Sequence, residues 1–256
     1  MNAPVLPPKT PFDSLWHAAY GALLDALFPP RCAGCARWSR AVFCPDCTSQ
    51  LVRIRSPLCD CCGAPFDPLA FPAPICARCR AKAPDFRAAR AVFAFEGPLR
   101  ESIHRLKYQH KSALAPRLAP FLATTLGEEP VLRDFDPQFL VPIPLHPSRL
   151  KKRGFNQSFL LANELSKLLG VPTRELLLRS RDTLPQIGLN ASDRAKNVRG
   201  AFEAARQVKT WQGKRILLID DVFTTGATLN EAAKTLRQAG ASAVCTLTLA
   251  RHLLPS

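Results

Sequence analysis

Apolar residues after residue 86 fall into short runs that alternate with helical patterns. Each run is rich in β-branched and other apolar residues, and this predicts strands at 87–95, 138–145, 215–220 and 242–250. Helical spacing predicts helices at 98–109, 156–170 and 227–240, the second of which should end at Gly170. Strands that alternate with helices indicate an α/β fold with a mostly parallel sheet covered on both faces.

Residues before 86 follow a different pattern. Residues 13–28 carry apolar side chains at helical spacing on one face, which predicts one amphipathic helix, and the prolines at 29 and 30 should end it. Cysteine, proline and arginine then dominate up to residue 85. We therefore expect a loose N-terminus with one helix (1–30), a small cysteine-rich module (31–85) and the α/β domain (86–256).

Composition fits a globular protein with an anionic partner. Of the 256 residues 47% are hydrophobic and 21% charged, and 35 basic against 20 acidic residues give a formal net charge of +15. Such a charge favours nucleic acid, phosphorylated metabolites or an anionic membrane surface, although it also serves solubility alone. The chain has no run of about 18 uncharged apolar residues, so we expect no transmembrane helix. Its start does not resemble a secretion signal, so we expect a cytoplasmic location.

Eight of the ten cysteines form four Cys-x2-Cys pairs. In a reducing compartment this spacing indicates tetrahedral thiolate zinc sites, whereas redox dithiols are the less favoured reading. We expect two structural zinc ions, each with four sulfur ligands and no open position for catalysis. Spacing alone leaves the pairing open, and we favour ligation in sequence order, by Cys32, Cys35, Cys44 and Cys47 and by Cys59, Cys62, Cys76 and Cys79.

Two adjacent carboxylates follow the apolar run at 216–219. Asp220 and Asp221 should lie at the carboxyl end of a buried parallel strand, where open α/β sheets bind ligands. A helix start follows directly, and its free amides, three threonine hydroxyls and Gly226 suit a phosphate. Acids beside an anion site make sense if they bind the hydroxyls of a phosphorylated sugar. The segment has neither a Walker Gly-Lys-Ser/Thr nor a dinucleotide glycine triplet, and a turn with coincidental acids is the remaining alternative.

The segment LLIDDVFTTGATL resembles the phosphoribosyl-pyrophosphate (PRPP) binding signature of type I phosphoribosyltransferases. Over most of residues 22–251 the chain resembles the ComF family, proteins associated with DNA uptake in natural transformation. The motifs are LFPPRCAGC, IHRLKY, LVPIPLHPSRLKKRGFNQSFLLA, LPQIGLNASDRAKNVRGAF and the signature itself. The resemblance implies a type I phosphoribosyltransferase-like parallel sheet flanked by helices, with a small N-terminal double zinc ribbon.

The resemblance also implies roles for single residues. Asp220 and Asp221 would hold the ribose hydroxyls and are the candidate catalytic residues. The 5′-phosphate would lie against Thr224, Thr225, Gly226, Ala227 and Thr228. The pyrophosphate loop would comprise Pro142, Ile143 and Pro144, with Arg153 close by and Mg²⁺ accompanying PRPP. A mobile hood over the ligand would span 181–199 and include Arg181, Gln186, Arg194 and Asn197.

Two functions remain open at this point, and a less favoured third is a regulator in which bound PRPP closes the hood and alters the affinity for DNA. Basic residues next to aromatic ones favour binding of single-stranded DNA, with Lys107, Tyr108, Arg149, Lys151 and Lys152 as candidates. Tyr108 could equally cover the core of its own domain. If the protein acts in DNA uptake, its implied partners are DNA-uptake helicase or channel proteins. The alternative is an active phosphoribosyltransferase with a base or amine acceptor. Thr224 stands where purine-salvage relatives can carry a carboxylate, so no general base is evident.

Overall fold

The computed structural model describes residues 29–66, 74–108, 112–182, 191–205 and 210–253. Within these residues the strands are β1 (Ala88–Ala94), β2 (Phe139–Pro142), β3 (Leu177–Arg179), β4 (Phe202–Ala204), β5 (Arg215–Phe223) and β6 (Ala243–Arg251). The longer helices are α3 (Gly97–Tyr108), α4 (Ala115–Glu128), α6 (Pro147–Arg153), α7 (Gln157–Leu169), α8 (Ala191–Val198) and α9 (Ala227–Gln238). Short helical segments are α1 (Pro45–Thr48), α2 (Ala77–Ala81), the 3-10 turn Ser112–Leu114 and α5 (Pro130–Arg133).

Four strands form one parallel sheet in the order β1-β6-β5-β2, and β3 pairs with β4 in a separate antiparallel ribbon. The sheet is covered on both faces. Leu217 and Ile219 of β5 belong to one hydrophobic core and Ile216 and Leu218 to the other. This explains the uninterrupted apolar run, because successive residues of a strand point to opposite faces. The predicted parallel α/β sheet with flanking helices is confirmed.

The predicted elements of the α/β domain are all present, with different bounds. The strand predicted at 215–220 continues to Phe223, so Asp221 lies within β5 as well as Asp220, and the strand ends three residues later than predicted. Periodicity missed α4, α6 and the β3–β4 ribbon, which are short or interrupted by proline, like Pro120 inside α4. The predicted helix at 13–28 lies outside the described residues.

The cysteine-rich segment packs against the sheet rather than standing apart. Ile54 and Val52 exchange backbone hydrogen bonds with Val92 and Ala94 of β1, at 3.0 and 2.8 Å. Cysteines of the first two Cys-x2-Cys pairs lie in one hydrophobic core, and cysteines of the last two pairs lie in the other. The proposed limits of the domains stay a prediction. Among the described residues, no helix has the length and apolar character that a membrane span requires.

Candidate functional site

The two carboxylates face a cleft of about 1080 Å³ at the carboxyl edge of the sheet. Ser158 Oγ donates to Asp220 Oδ1 over 2.7 Å, and the backbone amide of Asp221 donates to the same oxygen over 2.9 Å. Lys107 Nζ contacts Asp221 Oδ2, and Gln157 Nε2 lies 3.5 Å from Asp221 Oδ1. Gln157 and Ser158 begin α7, whose first amides are capped by the side chain of Asn156. The start of this helix therefore holds both acids in place.

The pKa values of the two adjacent acids are shifted in opposite directions. Burial raises the pKa of Asp220 to about 7, and the negative charge of Asp221 acts in the same direction. Burial would also raise the pKa of Asp221, but the ammonium of Lys107 outweighs it and the pKa lies below its ordinary value. Near neutral pH the pair therefore combines one firmly ionised carboxylate with one that titrates.

Beyond β5 the chain turns into α9 through a left-handed glycine. Gly226 has φ +80° and is the N-cap residue of α9. A Cβ at this position would lie 2.5 Å from Cζ of Phe223, a distance that real contacts do not reach. Thr224, Gly226 and Thr228 line the cleft beside the carboxylates. The helix N-terminus and its hydroxyls provide donors for an anion next to Asp220 and Asp221.

Positive side chains line one side of the cleft. Arg149, Lys152 and Arg153 come from α6, and Arg179 comes from β3. Arg179 is buried, and burial together with the charge of Arg149 lowers its pKa. Arg149 Nε lies 3.7 Å from Asp182 Oδ1, and the guanidinium of Arg153 lies 5.2 Å from the centre of the Tyr108 ring. This side suits a ligand with several negative charges.

Aromatic and histidine side chains form a further part of the cleft wall. Phe95, His104, Tyr108 and His252 contribute to this wall. The rings of His104 and Tyr108 lie 4.9 Å apart, and those of Phe95 and His252 lie 6.4 Å apart. The Tyr108 side of the wall is accessible, since Tyr108 is 58% exposed and does not cap a core. The cleft can therefore hold a planar group beside its polar centre.

Eleven of the predicted site residues line this one cleft: Lys107, Tyr108, Ile143, Arg149, Lys152, Arg153, Asp220, Asp221, Thr224, Gly226 and Thr228. Their assigned roles stay predictions. Pro142, Pro144, Lys151, Thr225 and Ala227 are neighbours of lining residues, and Thr225 Oγ1 accepts a hydrogen bond from the amide of Ala227 over 3.4 Å.

The predicted hood residues are placed less fully. Arg181 is exposed and donates to the carbonyl oxygen of Arg199 over 2.8 Å. Asn197 lies on α8 and is half-buried. Gln186 and the side chain of Arg194 lie outside the described residues. Neither Arg181 nor Asn197 lines the cleft as the structure describes it.

The sequence reasoning missed several residues of the site. Gln157, Ser158, Arg179, His104 and His252 are separated from the signature by many residues, and no local pattern marks Arg179, His104 or His252. The polar pair that opens the helix at 156–170 was a usable signal, because polar residues at a helix start beside a strand end often face a site.

The cysteines form two clusters in sequence order, which the spacing alone had left open. Cys32, Cys35, Cys44 and Cys47 make the first cluster, and Cys59, Cys62, Cys76 and Cys79 the second. The four sulfurs of each cluster lie within 4.8 Å of one another; those of Cys35 and Cys44 are 3.7 Å apart, and those of Cys62 and Cys76 are 3.8 Å apart. A tetrahedral zinc site with Zn–S bonds of 2.3 Å requires sulfurs about 3.8 Å apart. The residues fit zinc.

Some of the cysteine thiols have a lowered pKa, which favours the binding of a cation. Hydrogen bonds from Arg37 lower the pKa of Cys35 to about 6. Burial alone would raise the pKa of Cys62, but the positive charge of Arg251 outweighs it and the pKa falls to about 7. Backbone amides of Cys44 and Cys76 also donate to sulfurs of Cys32 and Cys59, at 3.2 and 3.3 Å. These contacts favour the thiolate form that binds zinc, whose role here would be structural.

Comparison with known proteins agrees with this arrangement. Residues 23–80 match the family described as a double zinc ribbon domain, and residues 156–253 match the phosphoribosyl transferase domain. Competence protein F of Haemophilus influenzae is 31% identical over 222 residues, which cover 86% of this chain and 95% of that protein.

Two further relatives have the same extent. DNA utilization protein YhgH of Escherichia coli (strain K12) is 34% identical over 212 residues, or 82% of this chain and 90% of that protein. Competence protein ComFC of Bacillus subtilis is 31% identical over 217 residues, or 81% and 83%. With two cysteine clusters and a phosphoribosyltransferase domain joined in this order, the chain belongs to the ComF family.

Proposed function

We propose that the cleft binds PRPP and that the protein serves DNA uptake in natural transformation. The observation that carries the PRPP proposal is the pairing of Asp220 and Asp221 with a helix N-terminus at Gly226 in one cleft. Its relatives named competence proteins F and ComFC support the role in DNA uptake.

In this proposal the ribose hydroxyls bind the two carboxylates and the 5′-phosphate binds the start of α9. An ionised carboxylate accepts hydrogen bonds from hydroxyl groups well. Residues 224–228 supply amides and threonine hydroxyls for the phosphate. Asp221 would have to exchange its contact with Lys107, at least in part, for the sugar.

The pyrophosphate would lie towards α6 and β3. Ile143 is held by Asn156, whose side-chain amide donates to its carbonyl oxygen over 3.0 Å, so the proposed pyrophosphate loop at 142–144 is fixed to the start of α7. Arg149, Lys152, Arg153 and Arg179 provide the positive charge. Mg²⁺ would arrive with PRPP, bound mainly by its phosphate oxygens.

Calorimetric titration with PRPP and Mg²⁺ tests this binding. We expect saturable binding of one PRPP per chain, lost in the Asp220→Ala/Asp221→Ala double variant. The Asp134→Asn variant is the control, because Asp134 is an exposed carboxylate away from the cleft. Absence of binding to the unaltered protein would end the proposal.

Single-stranded DNA is the second proposed ligand, met on the cytoplasmic side together with helicase or channel proteins of DNA uptake. Lys151 and Lys152 are exposed on α6, and Tyr108 offers an exposed ring for a base. The charge of Lys107 is already directed into the cleft, so Lys107 supports the PRPP site more than the DNA surface. Affinity for an oligonucleotide should fall steeply with added salt, and an affinity independent of salt would contradict this role.

A second candidate function is transfer of ribose 5-phosphate to a base or amine. The bond between C1 and pyrophosphate would break, and a bond from C1 to the acceptor nitrogen would form. His104 and His252, which line the cleft, favour this candidate because an imidazole can accept the acceptor's proton. Release of pyrophosphate that requires both PRPP and an added acceptor would establish transfer. Pyrophosphate release that does not depend on an acceptor would count against it.

A further inference from the structure

A buried arginine joins the second cysteine cluster to the cleft. Arg251, the last residue of β6, is 5% exposed. Its Nη1 donates to the carbonyl oxygen of Cys62 over 2.5 Å, and its Nη2 lies 3.7 Å from the Cys62 sulfur. The same guanidinium lies over the Phe223 ring, 4.3 Å from the ring centre. Arg251 thus contacts a candidate zinc ligand and an aromatic ring at the end of β5.

The Phe223 ring supports the turn that leads into α9. Its Cζ would lie 2.5 Å from a Cβ at Gly226, so the ring edge touches the backbone of the turn directly. Phe223 is 1% exposed and belongs to the same hydrophobic core as Cys59, Cys62 and Leu229 of α9. A shift of this ring would therefore move the backbone at Gly226 or leave a void beneath it.

Arg90 provides a contrast within the same protein. It is buried like Arg251, and its Nη1 donates to the carbonyl oxygens of Cys59 and Asp60, at 3.4 and 3.2 Å. Its Nε pairs with Glu129 over 2.7 Å. Arg90 therefore fixes the second cluster to the sheet, and neither its hydrogen bonds nor its ion pair involve Phe223. The first cluster packs elsewhere, in the core of α3 and α4.

We propose that Arg251 is a positioning residue that holds the phosphate-binding turn through Phe223, and that the second cysteine cluster is thereby part of the ligand site. This inference rests on the proposed function, because it assigns the 5′-phosphate to the turn at Gly226. The cluster fixes the guanidinium, the guanidinium fixes the ring, and the ring fixes the backbone amides that meet the phosphate.

The test compares Arg251→Lys with Arg90→Lys. Ribose 5-phosphate probes the turn at Gly226, and pyrophosphate with Mg²⁺ probes the basic part of the cleft. Lysine keeps the charge but cannot bind the Cys62 carbonyl and cover the ring together. We expect Arg251→Lys to lower the affinity for ribose 5-phosphate about tenfold. Affinity for pyrophosphate with Mg²⁺ should change by less than about twofold. Arg90→Lys should leave both affinities unchanged, and zinc analysis should find two ions per chain in each variant.

If Arg251 only stabilised the fold, Arg251→Lys would lower the affinities for ribose 5-phosphate and for pyrophosphate together, or Arg90→Lys would have the same effect as Arg251→Lys. Either result, or an unchanged affinity for ribose 5-phosphate in Arg251→Lys, would overturn the inference.

Phe223→Leu decides the matter if Arg251→Lys does not fold or loses zinc. It removes the ring while Arg251 and all eight candidate ligands stay. We expect the same selective loss of ribose 5-phosphate affinity, and an unchanged affinity would overturn the inference. An unaltered protein that binds neither probe would end the proposed function and this inference with it. If it binds both probes and the variants bind them equally well, the inference alone falls.

Discussion

Neutralising Asp220 should stabilise the protein, whereas neutralising its neighbour should destabilise it. The pKa of Asp220 rises from 3.8 to about 7 because burial and the charge of Asp221 oppose its ionisation. At pH 8 the folded state must therefore ionise a carboxyl group that the fold disfavours. A rise of about three pKa units corresponds to a ceiling of about 4 kcal/mol. Because part of this belongs to the pair rather than to one residue, we expect Asp220→Asn to raise the free energy of unfolding by about 2 kcal/mol.

The sign follows from proton uptake. Between the unfolded and folded pKa values the folded state binds the extra proton, so unaltered protein loses stability as pH rises through about 7. The gain from Asp220→Asn should therefore be full at pH 8, less than half as large at pH 5, and about one eighth as large at pH 4. The asparagine Oδ1 can still accept the hydrogen bonds from Ser158 and the Asp221 amide.

Asp221→Asn should act in the opposite direction. Lys107 holds the pKa of Asp221 below its ordinary value. Ionised Asp221 therefore stabilises the fold at any pH above that ordinary value, and this stability is lost only when the pH falls through the lowered pKa. Removing the carboxylate leaves the Lys107 ammonium, 22% exposed, without its partner. We expect a loss of about 2 kcal/mol, less than for a fully buried pair, and little change between pH 5 and 8.

Urea unfolding of both variants at pH 8 and pH 5 measures these effects, with Asp134→Asn as an exposed control that should change little. Equal destabilisation by the two cleft variants, or a gain from Asp220→Asn that does not depend on pH, would refute the reasoning.

Three further predictions concern the turn, the clusters and the DNA surface. Gly226→Ala should cost about 1–3 kcal/mol of stability and weaken PRPP binding, because φ is +80° and the new Cβ would meet the Phe223 ring. Urea unfolding measures the stability and calorimetry the binding, and unchanged PRPP binding would contradict the prediction. Replacing Cys32 and Cys35 by Ser should leave one zinc per chain instead of two and unfold the first cluster; metal analysis that still finds two would contradict it. Lys151→Gln should reduce the salt slope of oligonucleotide binding by about 0.7 if Lys151 contacts one phosphate.

The centre of the cleft was predictable because every local signal agrees there. An apolar run, two acids, small hydroxyl residues, Gly226 and an amphipathic helix follow one another within residues 215–240. The cysteine spacing was similarly informative, and the structure adds the grouping of the sulfurs in sequence order. The end of β5 was misjudged, since two adjacent acids after an apolar run look like the start of a loop.

The walls of the cleft were not predictable in the same way. Ser158 and Gln157 reach the acids because β2 and β5 are neighbours and α7 packs against both strands. Hydrophobic periodicity does not reveal the order of strands in a sheet. Lys107 looked like a DNA contact because it stands beside Tyr108 in a basic stretch. In the folded chain its ammonium instead contacts Asp221. Arg251 looks like an ordinary end of a strand until its contacts with Cys62 and Phe223 are seen.

A crystal structure of the protein with PRPP and Mg²⁺ tests the central claim most directly. We predict sugar hydroxyls within hydrogen-bonding distance of Asp220 and Asp221, and the 5′-phosphate against the backbone amides of residues 224–228. PRPP bound away from the two carboxylates, or with its phosphate outside the turn at Gly226, would contradict the account.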